Sequence, residues 1–133
     1  MKDCFNNTDN QTGFVDIHCH CLPGLDDGPK NMLESLALCR GLVDDGITVV
    51  IATPHQLGQY DGYNEPAKVR ESVLQLNKEL ENNKINLTVM PGGDVRIDER
   101  ISDFIDSDKI HTLADGKKYI LNRCAICRQD HGN

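Results

Sequence analysis

Short β-branched runs alternate with amphipathic helical stretches, and this alternation constrains the fold of the sequence most strongly. Ile47–Ala52 (ITVVIA) is nearly all apolar, which is typical of a strand covered on both faces. Residues 14–17 form a similar run before it, and residues 85–89 alternate apolar and polar side chains after it. Helical patterns separate these runs. The order strand–helix–strand–helix–strand predicts an α/β fold with a parallel sheet.

Apolar residues at helical spacing define two main helices. The first has a stripe made of Met32, Leu36, Cys39 and Val43, widened by Leu33 and Ala37. The second begins at Asn64-Glu65-Pro66 and has a stripe made of Val69, Val73, Leu76 and Leu80. Gly46 is expected to end the first helix. A short helix around residues 101–105 and a fourth strand starting at residues 119–121 complete the predicted elements.

Length and charge exclude several classes of protein. The chain has 133 residues, which suits one domain, and its net charge is -7. An acidic chain lacks the basic surface of a general nucleic-acid-binding protein, so we expect no nucleic-acid partner. We also expect no membrane insertion, since no apolar run approaches the ~20 residues of a spanning helix. The chain has six cysteines, but its N-terminal residues do not resemble a signal peptide. We therefore expect a reducing, cytoplasmic compartment in which the cysteines stay free.

Candidate metal ligands follow the predicted strands. His18 and His20 lie two residues apart at the end of the first strand, so both point to the same side of an extended backbone. Asp27 follows in the next loop, His55 ends the second strand, and Asp94 follows the third. The carboxyl ends of parallel strands lie together, so these residues are expected to converge. Imidazole and carboxylate ligands suit Mn, Fe or Zn better than Mg.

Each of these residues also has a purely structural interpretation. Taken alone, His55 is more typical of a surface or capping residue, and Asp26-Asp27-Gly28 is most simply a turn. Asp16 is expected to orient the two nearby histidines. Cys19 and Cys21 are predicted to be packing residues rather than ligands.

Three segments resemble motifs of the bacterial PHP-superfamily phosphatases. DIHCHCLPGLDDG (residues 16–28) is similar to their first motif, ATPH (residues 52–55) to their second, and VMPGGDVR (residues 89–96) to their third. Residues 112–113 and 119–121 also resemble the metal-dependent tyrosine-protein phosphatase branch, the CpsB/YwqE type. The resemblance covers residues 14–121, so this range is interpreted as a partial PHP phosphatase domain.

The resemblance implies a fold, an activity and a set of site residues. The implied fold is the N-terminal half of a distorted (β/α) barrel of the PHP type, with parallel strands. The implied activity is metal-dependent hydrolysis of phosphotyrosine on a bacterial polysaccharide-synthesis tyrosine kinase, linked to capsule and exopolysaccharide synthesis. His18, His20, Asp27 and His55 become the catalytic metal ligands, and the implied metal is manganese, with another divalent metal as the alternative. Asp94 stands where the family usually has a longer Glu ligand.

The sequence departs from the family near its C-terminus. The family has a second Glu ligand soon after the 119–121 strand, whereas this chain has Asn122-Arg123, and a cation cannot replace a carboxylate ligand. Residues 1–13 are interpreted as a disordered extension and residues 122–133 as a divergent tail. Such a barrel takes ~250 residues, so the chain is expected to be truncated and to hydrolyse phosphotyrosine poorly or not at all.

Two alternatives remain open at this point. The chain resembles other PHP phosphoesterases too, such as histidinol-phosphatase-like proteins. A non-catalytic zinc-binding module is the second alternative, with candidate ligands at His18, Cys19, His20, Cys21, Cys124, Cys127 and His131. A cysteine-dependent phosphatase is disfavoured, because no cysteine has an arginine six positions later.

Overall fold

The computed structural model describes residues 13–124 as an α/β fold with parallel strands. Its strands are β1 (Phe14–Cys19), β2 (Ile47–Ala52), β3 (His55–Gln56), β4 (Thr88–Pro91), β5 (Asp94–Arg96) and β6 (Leu121–Arg123). Its α-helices are α1 (Met32–Asp44), α2 (Pro66–Asn82) and α3 (Ile101–Asp106). Residues 1–12 of the expected extension (1–13) and residues 125–133 of the expected tail (122–133) lie outside the described residues.

The strands form two three-stranded sheets, and twice a strand of the first sheet leads directly into a strand of the second. The first sheet has the order β1-β2-β4 and the second β3-β5-β6, and every pairing is parallel. Thr53-Pro54 separates β2 from β3, and Gly92-Gly93 separates β4 from β5. Pro54 cannot donate to a ladder, which ends the pairing of β2, and after both β2 and β4 the chain passes from the first sheet to the second. The predicted α/β class with parallel strands is therefore confirmed, whereas the single predicted sheet is wrong, because β3 and β5 form a second sheet with β6.

Helix α1 has clear signals at both ends. The Asn31 side chain caps its start by accepting a hydrogen bond from the Glu34 backbone N–H at 2.9 Å. Gly46 follows its end with φ of +89°, a left-handed conformation that glycine adopts without steric cost. The predicted helix end is confirmed.

The buried face of α1 is narrower than expected. Leu36 and Cys39 are buried in the core, as predicted. Leu33 is 76% exposed and Ala37 is also exposed, so the prediction that they widen the stripe is wrong. One helix face packs against the sheet, and residues one position away from the stripe are rotated by about 100° toward solvent.

Helix α2 covers the same sheet. It begins at Pro66, with Glu65 at the N-cap, as the sequence indicates. Its predicted stripe is buried throughout: Val69, Val73, Leu76 and Leu80. The Asn77 amide also joins α2 to β4, since Nδ2 donates to Val89 O and Oδ1 accepts from Val89 N–H, both at 2.9 Å. No helix within residues 13–124 is both long enough and apolar enough to cross a membrane.

The third and fourth predicted strands correspond to β4 and β6, and both begin later than expected. Ile85 and Leu87 are buried, but the strand starts at Thr88. The reason is that the Ile85 backbone N–H donates to Leu80 O at 2.9 Å, which completes the end of α2 instead of pairing in the sheet. The fourth strand, expected from residue 119, is Leu121–Arg123, so its pairing with β5 extends beyond residue 121.

Candidate metal centre

The predicted ligands meet at the carboxyl ends of the first sheet's strands. His18 lies near the end of β1 and His20 follows that strand. His55 and Asp94 come just after β2 and β4, and they are direct partners in the register of β3 and β5. The short segments that follow β1, β2 and β4 therefore each bring a candidate ligand to the same edge of the sheet. All five predicted residues, including Asp27, come together in this cluster.

The Asp94 carboxylate is at the centre of the cluster. Its side chain is 3% exposed, and its Oδ2 lies 3.5 Å from His18 Nε2, 3.6 Å from His20 Nε2 and 3.2 Å from His55 Nδ1. Three imidazole rings thus surround one buried oxygen. A buried carboxylate needs positive charge or hydrogen bonds beside it, and this arrangement provides a position where a metal cation would supply the positive charge.

Asp27 lies on the open side of the cluster. Its Oδ1 is 3.3 Å from His55 Nε2, and its side chain is 75% exposed. His18 is also half exposed, whereas the His55 side chain is 10% exposed. The cluster is therefore closed beneath Asp94 and accessible from solvent on the side of Asp27 and His18.

Asp26 is the residue that the sequence analysis missed. Its Oδ2 accepts hydrogen bonds from His20 Nδ1 at 2.8 Å and from the His55 backbone N–H at 3.1 Å. Its Oδ1 accepts from the Gly28 backbone N–H at 3.0 Å. Because an ionised carboxylate only accepts, His20 carries its proton on Nδ1 and keeps its Nε2 lone pair on the side of Asp94. Asp26 thus orients a candidate ligand, a common arrangement around protein-bound metals.

The ionisation of this pair follows from the same contacts. The hydrogen bond to Asp26 raises the pKa of His20 above its ordinary value, although burial alone would lower it. Burial raises the pKa of Asp26, but hydrogen bonds from His20, Gly28 and His55 outweigh that effect and lower the pKa overall. Asp26 is therefore a carboxylate at neutral pH.

Arg123 brings a positive charge to the cluster. It ends β6, and its Nε lies 3.9 Å from Asp94 Oδ1. Burial raises the pKa of Asp94, but the His55 ring beside it and the charges of Arg123 and His18 outweigh burial, so the pKa lies below its ordinary value. Asp94 is ionised, and Arg123 competes with any metal ion for its charge.

The donor atoms fit a divalent metal. The candidate ligand atoms form two groups, and the atoms within each group lie within 4.8 Å of one another. One group is His20, Asp26, Asp27 and His55, and the other is His18, His20 and Asp94. They share His20, and they consist of imidazole nitrogens and carboxylate oxygens. This mixture is typical of sites for manganese, iron or zinc.

Two expectations about neighbouring residues have different outcomes. Asp16 was expected to orient the histidines, but its Oδ1 accepts the His18 backbone N–H at 3.0 Å, and the ring of His20 is oriented by Asp26 instead. Cys19 and Cys21 are buried among core residues, so their prediction as packing residues is confirmed.

The cysteines do not support a zinc module. The Cys19 side chain and burial raise the pKa of Cys21, and both side chains lie in the hydrophobic core cluster. Within residues 13–124, the groups able to hold a metal contain only His and Asp. Cys127 and His131, which that alternative also needs, lie outside the described residues.

A family model for capsular polysaccharide synthesis proteins, CpsB/CapC, matches residues 14–127. The chain belongs to the CpsB/CapC family. The match includes every residue of the cluster and continues past residue 121, where the resemblance of the motifs was expected to end.

Relatives in three bacteria share this region. The tyrosine-protein phosphatase YwqE of Bacillus subtilis is 44% identical over 81% of this chain and 42% of its own length. CapC of Staphylococcus aureus is 33% identical over the same shares of both chains. A chain from the crystal structures of YwqE and of CpsB from Streptococcus pneumoniae, reported as unique metal-dependent tyrosine phosphatases, superimposes with a TM-score of 0.79 at 40% identity, covering 84% of this chain and 44% of that one. This chain thus spans less than half the length of the CpsB/CapC relatives it matches.

Proposed function

We propose that this cluster holds a divalent metal, manganese, for the hydrolysis of phosphotyrosine. The observation that carries the proposal is the buried Asp94 oxygen with imidazole nitrogens of three histidines within 3.6 Å. The names of the CpsB/CapC relatives support phosphotyrosine as the substrate class. When bound, the metal would supply Lewis-acid polarisation of the phosphoryl group and an activated water.

Each residue of the cluster has a defined task in this proposal. His20, His55 and Asp94 would hold the metal from the closed side, and His18 and Asp27 would complete its ligands on the open side. Asp26 keeps the proton of His20 on Nδ1, so that Nε2 stays available. The open side next to Asp27 and His18 gives a phosphate ester a direct approach from solvent.

The wider setting is also part of the proposal. The parallel strands, and the passage of the chain from one sheet to the other beside the site, fit the N-terminal half of a PHP-type (β/α) barrel. Residues 14–121 would be the partial phosphatase domain. A cytoplasmic tyrosine kinase of polysaccharide synthesis would be the substrate. The free cysteines Cys19, Cys21 and Cys39 fit a reducing compartment.

The test uses ³¹P NMR of a phosphotyrosine peptide with the chain and Mn²⁺. A bound paramagnetic ion broadens the phosphorus signal of a ligand beside it, which detects weak complexes, and the same spectra record any release of inorganic phosphate. We expect broadening beyond that caused by free Mn²⁺ and slow phosphate release, both lost in EDTA and in His20→Ala.

Three outcomes would contradict the proposal. Equal broadening with the parent chain and with His20→Ala would show that the cluster does not hold the metal. Phosphate release that persists in EDTA would exclude metal-dependent hydrolysis. Faster release from histidinol phosphate than from the peptide would favour the histidinol-phosphatase-like alternative.

A further inference from the structure

Asn64 connects two of the segments that carry the metal-site residues. It lies in the turn before α2 and is 3% exposed. Its Nδ2 donates hydrogen bonds to Leu25 O and to His55 O, both at 2.9 Å. Leu25 directly precedes Asp26 and Asp27 in the sequence. One side-chain amide, with both of its N–H groups in use, thus joins the aspartate loop to the strand end that carries His55.

Gln56 holds Asn64 from the other side and reaches the third segment. Its Nε2 donates to Asn64 O, and its Oε1 accepts the His111 backbone N–H at 2.9 Å. Gln56 is 2% exposed and lies against Gly93, where an added Cβ would come within 2.2 Å of Gln56 Oε1. Gly93 precedes Asp94. The two neighbouring amides therefore contact the segments of Asp27, His55 and Asp94 together.

We propose that Asn64 is a positioning residue that fixes the Asp26–Asp27 loop against His55 and thereby sets the affinity for the metal. The inference rests on the proposed function of the cluster. Asp27 is 75% exposed, so its position 3.3 Å from His55 Nε2 depends on where the loop backbone is held. A side chain with fewer donors leaves a buried carbonyl unpaired and lets the loop move away from the strand end.

Asn77 provides a matched control. It is also an asparagine whose amide makes two hydrogen bonds of 2.9 Å between elements, but both go to the backbone of Val89 in β4, upstream of Asp94, and not to the Asp26–Asp27 loop or to His55. We compare Asn64→Ser with Asn77→Ser, and we include Asn64→Gln, which keeps both donors but displaces them by one methylene. Circular dichroism gives the fold and the melting temperature of each variant.

The measured quantity is the Mn²⁺ dissociation constant, from the EPR signal of free Mn²⁺ in titrations of the whole chain. Both serine variants should lower the melting temperature. Only the Asn64 variants should weaken Mn²⁺ binding, by about tenfold, which is the usual scale for loss of a group that supports a metal ligand. Asn77→Ser should stay within twofold of the parent.

Two results overturn the inference, and they are distinguishable. If the parent binds Mn²⁺ and the Asn64 variants bind as tightly as Asn77→Ser, Asn64 has a structural role alone and the proposed function stands. If the parent itself binds no Mn²⁺, the proposed function fails and the positioning role fails with it. Should Asn64→Ser not fold, Asn64→Gln decides between the same results.

Discussion

Replacing Asp26 with asparagine tests how the cluster is organised. The carboxylate accepts three hydrogen bonds, from His20 Nδ1 at 2.8 Å, Gly28 N–H at 3.0 Å and His55 N–H at 3.1 Å. Asparagine has the same shape but only one acceptor oxygen. Whichever way the amide turns, its NH₂ group faces a donor, and at least one buried N–H loses its partner.

The expected cost has two parts. Leaving a buried N–H unpaired and losing a hydrogen bond to a charged group together cost about 2–4 kcal/mol of unfolding free energy. His20 also loses the acceptor that fixes its proton on Nδ1, which weakens metal binding by about 10- to 100-fold. Urea unfolding followed by circular dichroism measures the first quantity, and EPR titration with Mn²⁺ measures the second.

Asp16→Asn is the matched control for this substitution. Its carboxylate accepts the His18 backbone N–H at 3.0 Å, so its loss should cost no more than about 0.5–1.5 kcal/mol and change Mn²⁺ affinity little. If Asp26→Asn binds Mn²⁺ as tightly as the parent chain, Asp26 does not orient His20. Equal losses of affinity in the two variants would refute the reasoning in the same way.

Four further predictions address charge, packing and pH. Arg123→Ala should tighten Mn²⁺ binding in EPR titrations, because it removes the cation 3.9 Å from Asp94 Oδ1; unchanged or weaker binding would contradict this. Asp94→Asn should abolish Mn²⁺ binding in the same assay. Leu80→Ala, at a position 1% exposed, should cost about 2–5 kcal/mol in urea unfolding, whereas Leu74→Ala, at 71% exposed, should cost less than about 0.5 kcal/mol. Burial lowers the pKa of His111 below its ordinary 6.5, despite the opposing effect of Asp115. As the pH falls, the unfolded chain therefore takes up a proton on His111 before the folded chain does. The unfolding free energy should fall as the pH drops below 6.5, and this fall should be smaller in His111→Asn.

The sequence predicts the architecture well, because strand and helix periods are local properties. The buried stripe of α2, its start at Pro66 and the end of α1 before Gly46 all follow from residue spacing and terminal signals. The start of β4 does not, because the backbone of Ile85 completes the end of α2. Which backbone N–H groups bond to the last carbonyls of a helix depends on three-dimensional geometry. The alternation of apolar and polar side chains does not predict these hydrogen bonds.

Within the cluster, the sequence predicts which residues meet but not how they are held. Asp26 and Asp27 are identical neighbours, and only the turn closed by Gly28 decides that Asp26 is buried against His20. Asn64 shows no motif that links it to Leu25, since its partners are backbone carbonyls of a distant loop. Hydrogen bonds from side chains to backbone leave no residue-type pattern at the accepting position.

Anomalous diffraction from crystals of the chain soaked in Mn²⁺ tests the central claim most directly. We expect anomalous density at the manganese edge between the Asp94 carboxylate and the imidazoles of His18, His20 and His55, each of which has a nitrogen within 3.6 Å of Asp94 Oδ2. The density should disappear in His20→Ala. Manganese density elsewhere on the molecule, with none at Asp94, would contradict the account.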